Sequence, residues 1–204
     1  MNLSAFRVAA TAAVVVIALM LIAWQFGFLS PNGRNSGSMV TAKIGGSFEL
    51  VDHNGKLRRS AEFREKFMLI YFGYSYCPDV CPTALQVMGS ALNSLGDKAK
   101  MVQPIFITID PKRDTTKLLK TYVQNFYHNF LGLTGTKEAI KDTAKKFRIY
   151  YARVSGNKDK SEADNYLVDH SSIVFLMGKR GQYITHFNHQ TDPTKMAEII
   201  AKQL

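Results

Sequence analysis

The stretch Phe67-Met68-Leu69-Ile70-Tyr71-Phe72-Gly73-Tyr74-Ser75-Tyr76-Cys77-Pro78-Asp79-Val80-Cys81-Pro82 decides the fold. Phe67 to Phe72 is an unbroken apolar run of strand length, which suits a strand covered on both faces. Past the cysteines, Leu85, Met88, Leu92 and Leu95 recur every three or four residues, the period of a helix with one apolar side. Pro82 suits the first position of that helix, where a missing N–H costs nothing. A buried strand therefore runs through a cysteine-bearing loop into a helix.

Outward from this unit the chain alternates in the same way. Upstream, Phe48 and Leu50 precede Asp52-His53-Asn54-Gly55, an opening hairpin with its turn signal. Downstream, Pro104 to Ile109 is a second buried strand. Asp114 with Thr115 and Thr116 opens a helix through Phe126, Thr136 to Phe147 is helical again, and Ile149 to Val154 is extended. Ser155 to Asn165 is polar and poor in apolar residues, as mobile loops are. Ser172 to Met177 and Tyr183 to Phe187 flank the turn Gly178-Lys179-Arg180-Gly181 as an antiparallel hairpin, and a last helix runs from about Asp192 to Lys202. Strand, helix, strand, helix, then a hairpin and a closing helix is the order of an α/β, thioredoxin-like sheet flanked by helices.

The amino-terminal part has a different character. Val8 to Leu29 carries no charge, and about 22 residues at roughly 1.5 Å each reach about 33 Å, enough to cross a bilayer. Its apolar core exceeds the roughly 7–15 residues of a cleaved signal peptide. The expected organisation is a cytoplasmic tail over 1–7, a transmembrane helix over 8–29, a flexible linker over 30–46 and a folded domain over 47–204. Arg7 and the terminal amine favour a cytoplasmic amino terminus. No Arg- and Ser-rich presequence precedes Val8, which fits a single-pass protein of a bacterial inner membrane.

The 204 residues suffice for one full core plus this appendage. A net charge of +10 favours acidic partners, yet the basic residues fall singly or in pairs such as Arg58-Arg59 and Lys145-Lys146, not in a nucleic-acid-binding tract. The two cysteines, Cys77 and Cys81, exclude a disulfide scaffold and leave one local pair suited to redox or metal chemistry.

Proline after each cysteine disfavours α backbone at both, which sets Cys81 at a helix N-cap and Cys77 in the loop before it. The helix dipole and free N–H groups there stabilise a thiolate. C-x₃-C is one residue longer than the C-x₂-C of thioredoxins, which favours chelation without forbidding a disulfide. None of the six prolines directly precedes the Ser172 strand, where oxidoreductases of this fold keep a cis-proline facing the active cysteine. The corresponding residues are Val168-Asp169-His170-Ser171-Ser172, so His170 is expected to point at the two sulfurs. Two thiolates with one imidazole suit Cu(I), and imidazole also suits Cu(II). Zinc in a structural site takes four ligands, and no third cysteine exists. Asp79 and Asp169 are candidates to orient the ligands from behind.

Three segments, Phe72 to Pro82, Thr108-Ile109-Asp110-Pro111-Lys112-Arg113-Asp114-Thr115, and Val168-Asp169-His170-Ser171, resemble in order and spacing the SCO/SenC family of copper-binding proteins of cytochrome c oxidase assembly. The resemblance spans nearly the whole soluble domain. It implies that Cys77, Cys81 and His170 bind copper and that the copper goes to the binuclear centre of oxidase subunit II. It further implies a soluble domain in the periplasm, an upstream copper donor, and Cys77 and Cys81 as a redox-active pair able to reduce that subunit's cysteines. The family often has a proline in the turn that is Gly178 to Gly181 here, which leaves the ligands untouched. Asp110, Arg113 and Asp114 read as a loop and N-cap network bracing the site. Two other functions compete with a metallochaperone: a thiol-disulfide reductase or peroxidase, and a copper or redox sensor using the 155–165 loop.

Overall fold

In the computed structural model, residues 3–25, 43–154 and 166–204 are described, and within the first helix the side chains of Arg7 and 11–25. The chain divides into two compact units, Met1–Thr41 and Ala42–Leu204. In the first, α1 covers Leu3–Gln25. Among the described residues no helix is long and apolar enough to cross a membrane. Helix α1 is described over Leu3–Gln25, residues 26–29 of the expected 8–29 span lie outside the described set, and the continuous described side chains cover 11–25. A span takes about 20 residues.

The second unit is built on a seven-stranded mixed sheet in the order β2-β1-β5-β4-β3-β8-β9. Its strands are β1 (Glu49–Asp52), β2 (Leu57–Arg59), β3 (Phe67–Gly73), β4 (Val102–Thr108), β5 (Leu131–Thr134), β8 (Ile173–Met177) and β9 (Tyr183–Asn188). Two further strands, β6 (Tyr151–Val154) and β7 (Leu167–His170), form a separate antiparallel ribbon. The helices are α2 (Val80–Leu95), α3 (Thr116–Gln124), α4 (Lys137–Lys146) and α5 (Pro193–Ala201).

All seven residues of β3 are buried, as its unbroken apolar run demands. It pairs parallel with β4, from Phe67 opposite Val102 to Gly73 opposite Thr108, and antiparallel with β8, from Met68 opposite Met177 to Tyr71 opposite Val174. Phe72 lies between Phe147 and Phe175, with ring centroids 5.2 and 6.5 Å away. Helix α2 leaves the end of this strand and buries Leu85, Met88, Leu92 and Leu95, the four positions that its period marked. The loop joining β3 to α2 thus sits at the carboxyl end of the central strand, held by the largest part of the core.

Several boundaries differ from the sequence expectation. Residues 43–46, expected in the linker, already pack: Ile44 meets the core and the Gly45 N–H donates to the Lys146 carbonyl at 2.9 Å. The N-cap of α3 is Thr115, whose side chain accepts from Leu118 N at 3.3 Å, leaving Asp114 to serve elsewhere. Thr136 and Asp192 cap α4 and α5 as their positions predicted. Strand β5 was not anticipated, because Leu131-Gly132-Leu133-Thr134 is short and has a glycine at its centre. Linker residues 30–42 and the polar segment 155–165 lie outside the described residues.

Candidate metal centre

Cys77, Cys81 and His170 converge: one ligand atom from each lies within 4.8 Å of the others, the only such group of His, Cys, Asp and Glu among the described residues. The two cysteines come from one strand–loop–helix unit and the histidine from a distant strand. Cys77 lies in the loop after β3, Cys81 in the first turn of α2 and His170 at the end of β7, 89 positions beyond Cys81.

Cys81 is not the N-cap. Asp79 holds that position, Val80 and Cys81 are the first two helical residues, and Pro82 is the third. Proline is tolerated there because the first-turn N–H groups have no intrahelical acceptor. In this second helical position the Cys81 backbone N–H faces Cys77 and donates to its Sγ at 3.4 Å. Cys77 N in turn donates to the Tyr74 carbonyl at 3.2 Å, closing the loop.

The two sulfurs differ in environment. Cys81 is fully buried, whereas Cys77 is half-buried. Hydrogen bonding from the Cys81 side chain leads the causes that lower the Cys77 pKa to about 3; partial burial opposes it, and His170 with the N–H groups of Asp79 and Cys81 reinforces it. Burial, followed by the hydrogen bond to Cys77 and that neighbour's charge, pushes the Cys81 thiol up. The two shifts run in opposite directions, so Cys77 is the sulfur that more readily gives up its proton and Cys81 the one that keeps it.

His170 Nε2 is 3.3 Å from Cys81 Sγ, and Nδ1 is 3.1 Å from the Ser171 carbonyl oxygen. Since that oxygen only accepts, Nδ1 carries a proton, and Nε2 is the ring atom that faces the sulfurs. The orienting acceptor is thus a backbone carbonyl, not the aspartates expected in that role. The Asp79 carboxylate accepts from Thr83 Oγ1 at 3.5 Å, and Asp169 is exposed on the ribbon. Tyr71 and Tyr74 present ring edges to the imidazole at 6.1 and 6.0 Å.

The ribbon carrying His170 is tied down at named points. The Tyr74 hydroxyl accepts from Val168 N at 3.1 Å, and Arg113 Nη1 donates to the Tyr166 carbonyl at 2.9 Å while its guanidinium stacks 3.6 Å from the Tyr166 ring. Asp110 accepts from Arg113 Nε at 2.5 Å and from the Tyr166 hydroxyl at 2.7 Å. The buried Asp114 carboxylate accepts from Ser75 N and Oγ and from Thr108 Oγ1, so it clamps the cysteine loop to the end of β4. Burial raises the Asp114 pKa, and those hydrogen bonds oppose the rise. The bracing expected of Asp110, Arg113 and Asp114 is therefore physical, with Thr115 taking over the capping.

Gly73 and Tyr71 escaped the sequence reading although both lie in the deciding stretch. A Cβ on Gly73 would come 2.7 Å from Cys81 Sγ, so only glycine lets the strand pass beneath the sulfur. A glycine closing an apolar run just before a cysteine loop is the signal that marks this. The remaining histidines join no such group. His53 Nδ1 accepts from Gly132 N at 3.1 Å, and His186 Nδ1 lies 2.6 Å from the Tyr183 hydroxyl.

This geometry matches known proteins. The SCO1/SenC family model matches residues 37–204. A SCO2-like protein of Rickettsia felis is 44% identical over 158 residues, covering 78% of this chain and 76% of that one. The protein sco1 of Schizosaccharomyces pombe is 41% identical over 173 residues, 83% of this chain and 64% of that protein. Among solved structures, Bradyrhizobium japonicum ScoI with copper bound superposes with a TM-score of 0.72 at 36% identity, over 79% of this chain and 99% of that one. Yeast Sco1 with copper bound gives 0.71 at 38% identity, over 78% and 87%. With the three-residue centre on a thioredoxin-like sheet and a family match across the whole folded unit, the chain belongs to the SCO1/SenC family.

Proposed function

We propose that the protein is a copper metallochaperone that carries one copper ion on Cys77 Sγ, Cys81 Sγ and His170 Nε2. The observation that carries this reading is the convergence of two sulfurs and an imidazole within 4.8 Å, in a family whose solved members from Bradyrhizobium japonicum and yeast have copper bound. Two soft sulfurs and one nitrogen form a three-coordinate set that suits Cu(I), and the imidazole extends it to Cu(II). The lowered Cys77 pKa favours its thiolate, the form that binds metal, and loading must also displace the proton that burial holds on Cys81. Half-exposure of Cys77 offers an incoming ligand a route to the ion, which a carrier needs and a structural site does not.

The acceptor in this reading is the binuclear copper centre of cytochrome c oxidase subunit II, with a separate protein supplying the copper. The charge-free segment 8–29 is the membrane anchor, residues 1–7 face the cytoplasm, and the folded unit works in the periplasm beside a bacterial inner membrane. Apolar side chains exposed along α1, from Val14 to Trp24, support that placement, since a helix apolar on every side needs a lipid or protein cover. Behind the ligands, Asp79 supports the Cys77 sulfur through its backbone N–H.

A thiol-disulfide reductase is the second reading, favoured by the low pKa of Cys77 beside a second thiol. Copper titration of the full chain in detergent, followed by X-ray absorption, separates the two. One copper per chain with sulfur and nitrogen scattering is expected, lost in Cys77→Ala and Cys81→Ala and weakened about 10–100-fold or more in His170→Ala. Copper affinity unchanged in His170→Ala defeats the carrier reading.

A further inference from the structure

Tyr71 touches both the buried sulfur and the imidazole of the site. It is fully buried in β3, its hydroxyl lies 3.8 Å from Cys81 Sγ, and its ring edge meets His170 with centroids 6.1 Å apart. The Ser172 side chain hydrogen-bonds to the same hydroxyl. With Ser172 donating, the phenolic proton is free to point at Cys81, so the hydroxyl is an O–H···S donor. Cys77 is met differently: the backbone N–H groups of Asp79 and Cys81 and the side chains of Cys81 and His170 reach its sulfur, and no tyrosine hydroxyl is among them. Gly73 completes the seat, because the absent Cβ leaves Cys81 Sγ and the Tyr71 ring room to meet.

We propose that Tyr71 is a positioning residue of the copper centre, whose hydroxyl donates a hydrogen bond to the Cys81 sulfur and thereby makes the two sulfurs unequal ligands. The proposal rests on the copper reading given above. A donor to a thiolate lowers the energy of its lone pairs and neutralises part of its charge. Cys81 is then the anchored sulfur, fixed by burial, by Tyr71 and by the ring that also aligns His170. Cys77, only partly buried, stays the accessible sulfur. Outer-shell hydrogen bonds of this type hold a ligand in place and tune the metal that it binds.

The test compares full-length wild type with Tyr71→Phe, which deletes the hydroxyl and keeps the ring. Copper affinity is read by competition with a chelator, the Cu(II) form by its sulfur-to-copper charge-transfer band, and the metal-free pair by its dithiol midpoint potential. One copper per chain should remain in Tyr71→Phe, with affinity lowered about tenfold. The charge-transfer band should move to lower energy, because the unassisted sulfur is the better electron donor. The midpoint potential should become more negative, because the reduced Cys81 loses its donor. Ser172→Ala, which keeps the tyrosine but frees its hydroxyl, should move the band in the same direction by less. If the band, the affinity and the potential of Tyr71→Phe all match wild type, the proposal is wrong. Should wild type bind no copper while Tyr71→Phe still shifts the potential, the carrier reading fails and the hydrogen bond stands. If Tyr71→Phe does not fold, Ser172→Ala decides by the same band and potential, and no shift in it overturns the role.

Discussion

The two halves of the metal centre stand on very different ground. Cys81 rises from the junction of β3 and α2, where every strand residue is buried and β4 and β8 pair along both edges. His170 ends a two-stranded ribbon outside the main sheet, whose four pairs run from Tyr151 opposite His170 to Val154 opposite Leu167. Along that ribbon only Val168 is buried. An isolated two-stranded ribbon is marginal in water. Its position depends on a few contacts, chiefly Tyr74 to Val168 and the Arg113–Tyr166 stack. The contrast teaches how one site can hold and release the same ion: a rigid platform supplies the sulfurs, and a weakly secured arm supplies the imidazole.

Three measurements break or sharpen that contrast. The largest effect is expected from Phe72→Ala in the platform, which empties a fully buried site between Phe147 and Phe175 and should cost about 3–5 kcal/mol in urea unfolding. A loss below about 1 kcal/mol would show that the platform is not the rigid half.

The next effect concerns the two sulfurs. Iodoacetamide should label Cys77 at least about 100-fold faster than Cys81 in the reduced, metal-free chain, since one is an accessible thiolate and the other a buried thiol. With its pKa lowered to about 3, the Cys77 rate should stay flat between about pH 5 and 8, where an ordinary thiol near 8.5 accelerates steeply. Equal labelling, or a steep rise with pH, removes the asymmetry.

The smallest effect belongs to the ribbon. Tyr74→Phe deletes the acceptor of the Val168 N–H and should cost about 1 kcal/mol locally. Amide exchange in β7 should then speed up about fivefold, while exchange in β3 stays at the global rate. A uniform acceleration over both elements would mean that ribbon and sheet unfold as one body.

Much of this was legible in the chain because the signals were local. The apolar run Phe67 to Phe72, the period through Leu85 and Leu95, and the caps Thr136 and Asp192 each depend on neighbours within a turn or a strand. The cysteine loop was readable for the same reason, as was the pull of the helix terminus on its thiolate. What escaped depends on partners distant in sequence. Strand β5 exists because β4 and β1 offer it edges on both sides. The ribbon exists because Tyr151 meets His170 across the polar segment, and the stretch around His170 otherwise reads as the start of the next strand.

The sequence by itself determined the chemistry on offer: two cysteines held by flanking prolines at a helix start, one histidine in a motif of its own, and a strand apolar enough to be central. Tertiary structure alone decided how those groups are used. It moved Cys81 two positions into the helix, gave the His170 Nδ1 proton to the Ser171 carbonyl in place of an aspartate, and slid Tyr71 beneath the buried sulfur over a residue without a side chain. The physical reason is range. Propensity and periodicity act over a few residues, whereas the direction of a lone pair is set by packing between elements that meet only when the chain has folded.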